Sequence, residues 1–165
     1  MNVIPFLIKE LQHEADTTRK FFKLIQADKF DYKPHTKSMS IKQLSTHIAE
    51  LPSWIDLAVN TDEIDFATMD WTPTEVSSAD DLLQLLDKSL EKALAALQKV
   101  TDEDLLKTWT IKNDGQVLQA MTKYESIRHA YSQTTHHRAQ LGVFLRLLDI
   151  PIPGSYGPSA DDPGM

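Results

Sequence analysis

From Ser77 to Val100 the chain reads SSADDLLQLLDKSLEKALAALQKV, and its apolar residues return every three or four positions. Leu82, Leu86, Leu90, Leu94 (or Ala93) and Leu97 therefore line one face of a helix. A strand cannot bury such a set on one side, because its successive side chains alternate between faces. A stripe this long must be covered by the rest of the fold. A serine opens the segment, and Asp80 and Asp81 occupy its first turn, where they complement the positive end of the helix dipole better than they would serve as an acid/base pair.

The same period recurs elsewhere. A first helix is expected from about Val3 to Ala27, with Pro5 in its first turn, where the missing N–H costs nothing. Pro34 breaks DKFDYKPHTKSMS, which reads as a loop. A second helix starts near Ser40, with Gln43 completing a capping box, and carries Ile41, Leu44, Ile48, Leu51 and Ile55 on its stripe. Pro52 falls inside that pattern and should kink the helix. Residues 61–76 read as a long connector, pinned to the body by Phe66 and Trp71. TDEDLL adds a short turn, and TWTIKNDGQVL alternates around Asn-Asp-Gly, the signature of a small hairpin at one end of a bundle. A last helix begins near Thr122, where Glu125 completes a second capping box. The expected class is all-α, a bundle of four long helices with a long connector and a small hairpin before the last helix. Residues 1–150 form the bundle domain. Residues 151–165 hold four Pro and three Gly and form a tail that either packs on the body or is disordered.

Composition narrows the function. The chain has 165 residues, net charge −7 and no cysteine. Thiolate metal sites, disulfides and Cys nucleophiles are excluded. No dense Lys/Arg run offers itself to nucleic acid. The apolar start runs straight into charged helix and reads as a helix turn, not a signal peptide. No stretch approaches the ~18 apolar residues of a membrane span, so a soluble, cytoplasmic protein is expected. Phosphate-binding glycine loops, nucleophile elbows and H-E-x-x-H are absent.

The candidate chemistry lies in histidine. Of six, three crowd into IRHAYSQTTHHRAQL: His129, His136 and His137. His137 lies four before Leu141 and three after Thr134, so it points into the bundle. His136 turns away by ~100°. His129 lies two turns from His137, about 12 Å along the axis, too far for an easily shared ion. His47, between Leu44 and Leu51, also points inward from the second helix. Two inward imidazoles on different helices can be either satisfied core residues or half of a site for Zn²⁺, Ni²⁺, Fe²⁺ or Mn²⁺. Tyr131, Trp54 and Trp71 read as packing residues.

SIKQLSTHIAELPSW and TTHHRAQLGVFLRLLDIPIPG resemble the signatures of the DinB/YfiT-like superfamily, and the likeness runs over nearly the whole chain. The resemblance implies an up-down-down-up four-helix bundle, commonly dimeric, holding a divalent metal with three histidines. One is His47 and another His137; the third would fall four before His137, where this sequence has Gln133. A neutral amide oxygen is a poorer ligand than imidazole for zinc or nickel. Three outcomes are open: Gln133 acts as a weak ligand, another group such as Glu50, His129 or His136 substitutes, or the site is empty. Arg138 and Gln140 belong to the matching motif; Arg138 is expected off the stripe, in a salt bridge or helix-surface contact. The resemblance further implies metal-dependent small-molecule chemistry, such as thiol-dependent S-transfer with a low-molecular-weight thiol. Its alternative is a non-catalytic, homodimeric binding or stress-response bundle with a degenerate site.

Overall fold

The computed structural model describes residues 2–70, 72 and 74–164. Five α-helices carry most of the fold: α1 (Ile4–Phe22), α2 (Ile41–Glu50), α3 (Ser53–Asn60), α4 (Ala79–Leu97) and α5 (Lys123–Leu147). Three strands join them: β1 (Glu63–Asp65), β2 (Thr108–Asn113) and β3 (Gln116–Thr122). Among the described residues no helix is long and apolar enough to cross a membrane.

The helix starts follow the capping logic. Ser40 Oγ accepts from Gln43 N (3.2 Å) while Gln43 Oε1 accepts from Ser40 N (2.9 Å), fixing the entry to α2. Thr122 and Glu125 do the same for α5, and Ser78 caps α4. The first helix ends at Phe22 rather than near Ala27, closing through i→i+3 bonds from Leu24 and Ile25.

Two expectations are corrected. The second helix is not merely kinked: it is interrupted at Leu51–Pro52 and resumes as α3, because the pyrrolidine ring removes a backbone donor and crowds the preceding turn. The all-α, four-helix reading also fails. The strands form one mixed sheet in the order β1-β2-β3, with β1 parallel and β3 antiparallel to β2. The hairpin is there, but β1 is recruited to it from the segment read as connector. The Asp65 carboxylate explains the recruitment: it accepts N–H from Ala67 (2.9 Å), Asp114 (2.9 Å) and Gly115 (2.8 Å), tying β1 to the turn of the β2–β3 hairpin. Asp114 and Gly115 both have positive φ (51° and 74°), as the tight primed turn of a two-residue hairpin requires. Trp71, expected to pin the connector, lies outside the described residues.

The core has three parts. Phe22, Ile41, Leu44, Ile48, Leu82 and Leu145 pack at one end. Leu7, Leu11, Leu97, Leu105, Ile127 and Tyr131 pack at the other. Under the sheet, Ala58, Ile64 and Trp109 form a smaller cluster. Both α2 and α3 rest on α4 and α5, which brings one face of α2 against the middle of α5.

Candidate functional site

His47 sits in the last turn of α2 and His137 in the middle of α5, both half-buried. The docking of the two helices brings their ring centroids to 4.7 Å at an interplanar angle of 80°. Two imidazoles sharing one ion, each with its nitrogen ~2 Å from the metal, hold their centroids about 5 Å apart. His137 is also oriented: its Nδ1–H donates to Gln140 Oε1 at 2.9 Å, one turn along α5. That leaves the Nε2 lone pair free, the tautomer a metal-ligating histidine needs. Burial, and secondarily the neighbouring His137, lower the pKa of His47, so its ring is held neutral and able to donate a lone pair.

Gln133 lies on the same face of α5, one turn before His137, and borders a cavity together with His47. Its amide nitrogen lies 3.4 Å from His129 Nε2. The candidate substitutes are placed elsewhere or make other contacts. Glu50 Oε1 accepts from Thr74 Oγ1 at 2.6 Å and borders the groove between α3 and α4. His136 is exposed, with its ring 4.9 Å from that of His137, and lies on a groove shared with Glu10 and Tyr156. His129 also borders the cavity, where it faces Gln133. Among the described residues no three His, Cys, Asp or Glu side chains group as metal ligands. The donors on offer to a divalent cation are two imidazoles, with the neutral amide of Gln133 bordering the same cavity as His47, a set that leaves coordination positions open. Such a set favours weak, exchangeable binding.

The cavity beside His47 measures about 260 Å³. Trp54 and Leu51 wall it from the helices, and Phe66, Trp109, Ile111 and Met121 wall it from the sheet side. Trp54 was read as packing, and it does stack edge-on against Phe66 at 6.4 Å, but the pair also borders open space. Sequence reasoning did not assign the sheet residues to any site. Their signal was the alternation that places Trp109 and Ile111 two apart, on one face of a strand.

Arg138 makes the salt bridge expected of it, but not from the expected position. It is not off the stripe but in it, four after Thr134 and three before Leu141, and it is buried. Its guanidinium pairs with Glu14 at 2.7 Å and donates to Tyr156 Oη at 2.9 Å. Tyr156 Oη lies 2.8 Å and 2.9 Å from the two Glu14 carboxylate oxygens, and it donates its single proton to that carboxylate. The Pro/Gly-rich tail is thereby fastened across α1 and α5.

The sequence profile of the DinB family matches residues 2–163. No curated protein sequence matches the chain. A DinB-like protein from Bacillus subtilis superposes with a TM-score of 0.72 at 21% identity, over 90% of this chain and 96% of that one. A DinB-like protein from Bacillus cereus gives 0.70 at 18% identity, over 91% and 95%. A conserved protein from Enterococcus faecalis gives 0.69 at 17% identity, over 90% and 98%.

Proposed function

Starting from the chain's membership of the DinB family, we propose that His47 and His137 hold a divalent cation, with Gln133 as a weak third donor, and that the protein performs small-molecule chemistry at this point. The observation that carries the reading is the 4.7 Å approach of two imidazoles from separate helices. Its support is the Gln140 carbonyl, which fixes the His137 tautomer. A divalent cation with open positions lowers the pKa of a bound thiol or water and supplies a nucleophile at neutral pH.

The protein's own groups do the rest. His47, kept neutral by burial, offers a lone pair without first losing a proton. His137 is aimed by Gln140. Gln133 would offer a neutral amide oxygen, a weaker donor than the imidazole it replaces, so a cation held here would be bound less tightly and would keep more of its Lewis acidity. The proposed nucleophile is a low-molecular-weight thiol or water, and the proposed assembly is a cytoplasmic homodimer.

A second reading has its own observation. The absence of a three-ligand group among the described residues favours a non-catalytic binding bundle with a degenerate metal site.

Metal content separates the two. Protein purified without an affinity tag, or incubated with Zn²⁺ or Ni²⁺ and desalted, should carry up to one ion per chain, lost in both His47→Ala and His137→Ala. Gln133→His should raise cation affinity by about tenfold or more. A parent that takes up no ion at any concentration tested removes the enzyme reading and leaves the binding bundle.

A further inference from the structure

The cavity next to the histidine pair has a chemical character that neither histidine explains. Its walls are Leu51, Trp54, Phe66, Trp109, Ile111 and Met121, and none of its lining residues is Lys, Arg, Asp or Glu. With no cation on the histidine pair, an ionised group entering it would lose hydration without meeting a Lys, Arg, Asp or Glu partner, a cost of several kcal/mol or a forced change of protonation. The cavity therefore discriminates against charge by the absence of anything to meet it.

Its shape adds a second restriction. The volume of about 260 Å³ falls just below the ~300 Å³ at which ordinary ligand pockets begin. Trp54 and Phe66 meet with centroids 6.4 Å apart at 64°, and Phe66 is 46% exposed, so an aromatic edge is presented at the rim. Trp109 Nε1 is already satisfied by Thr61 Oγ1 at 3.0 Å, so this indole offers the cavity only its apolar surface. Apart from His47 on α2, its polar lining groups come from α5: Ser126, and Gln133 and His129, which lie 3.4 Å apart.

We propose that this cavity binds an uncharged, flat molecule of one or two aromatic rings, its rings between the α3 and sheet walls and a single polar substituent at Gln133 and His129. The sheet supplies Trp109, Ile111 and Met121, and Phe66 directly follows β1, so selection for this ligand depends on the part of the fold that covers the end of the helices. Because His47 borders the same space, the bound molecule abuts one member of the histidine pair. Its standing as the substrate that meets the nucleophile rests on the function proposed above; occupancy of the cavity does not.

The test is calorimetric titration of the full chain at pH 7, freed of metal by a chelator, with 2-naphthol and with 2-naphthalenesulfonate, which share a ring system and differ in charge. One site per chain is expected, at least tenfold tighter for 2-naphthol. Ile111→Lys should weaken 2-naphthol and strengthen the sulfonate, narrowing the preference to threefold or less. Met121→Lys gives the same readout if the first variant fails to fold. Equal affinities, no binding of 2-naphthol, or an unchanged preference in a folded lysine variant overturns the proposal. Binding of 2-naphthol by a parent that takes up no cation leaves the cavity assignment standing and removes the metal reading. Cation uptake without 2-naphthol binding does the reverse.

Discussion

The Glu14 carboxylate on α1 and the Arg138 guanidinium on α5 meet at 2.7 Å with their side chains only 8% and 2% exposed. Residues 124 positions apart are joined there, and Tyr156 from the tail completes the contact. Arg138 also donates to the Glu14 carbonyl and to Thr18 Oγ1. The pair is thus hydrogen-bonded as well as neutralised, the condition under which a buried charge is tolerated.

Removing one partner strands the other. Arg138→Ala and Glu14→Ala should each cost about 3–5 kcal/mol, read as a lowered urea midpoint, whereas the double substitution Glu14→Leu with Arg138→Met should recover much of the loss. Tyr156→Phe, which deletes only the hydroxyl, should cost about 1–3 kcal/mol. Single variants as stable as the parent would mean that the pair is solvated in solution.

The Gln140 carbonyl sets the tautomer of His137, so Gln140→Leu should weaken cation binding by about tenfold or more while leaving the helix intact. Calorimetric titration of zinc into parent and variant checks this, with circular dichroism as the control for folding. Equal affinities would detach Gln140 from the site.

Asp65 makes acid sensitivity assignable to one residue. Backbone donors, Gly115 first and then Ala67, hold its pKa below the ordinary carboxylate value. A group depressed in the folded state stabilises above its unfolded pKa and loses that contribution as pH falls through the folded one. Asp65→Asn, which keeps an acceptor oxygen but no charge, should be less stable than the parent at pH 7. The gap should close as pH drops below about 4. A gap that stays constant from pH 7 to pH 2 would show that charge plays no part in holding β1 to the hairpin turn.

Trp109 is 1% exposed and anchors the sheet over Ala58 and Ile64. Trp109→Ala should cost about 3–5 kcal/mol. Because its ring also walls the cavity, the variant should lose 2-naphthol affinity together with stability. Trp109→Phe, which keeps an aromatic wall but loses the bond to Thr61, should lose stability with a smaller effect on affinity. A Trp109→Ala variant as stable as the parent would place the sheet's anchorage elsewhere.

By itself the sequence determined what is local. Apolar spacing specified the long helices, the residues at Ser40, Ser78 and Thr122 marked three helix starts, and Asp114-Gly115 marked the hairpin turn, because each depends on neighbours within about four positions. The spacing also put His47 and His137 on inward faces. What only the tertiary structure decided depends on docking. β1 is a three-residue strand with no pattern of its own, and it exists because β2 and the Asp65 bonds to residues 49 and 50 positions away complete it. Arg138 shared a helical face with the core, but nothing near it in sequence announced that Glu14 and Tyr156 would come to neutralise and cover it. The distance between the two imidazoles, and the uncharged cavity beside them, were set by how α2, α3 and the sheet settle on α5. Hydrogen-bonded turns are encoded locally, whereas the meeting of distant side chains follows from the one arrangement that buries all the apolar faces together.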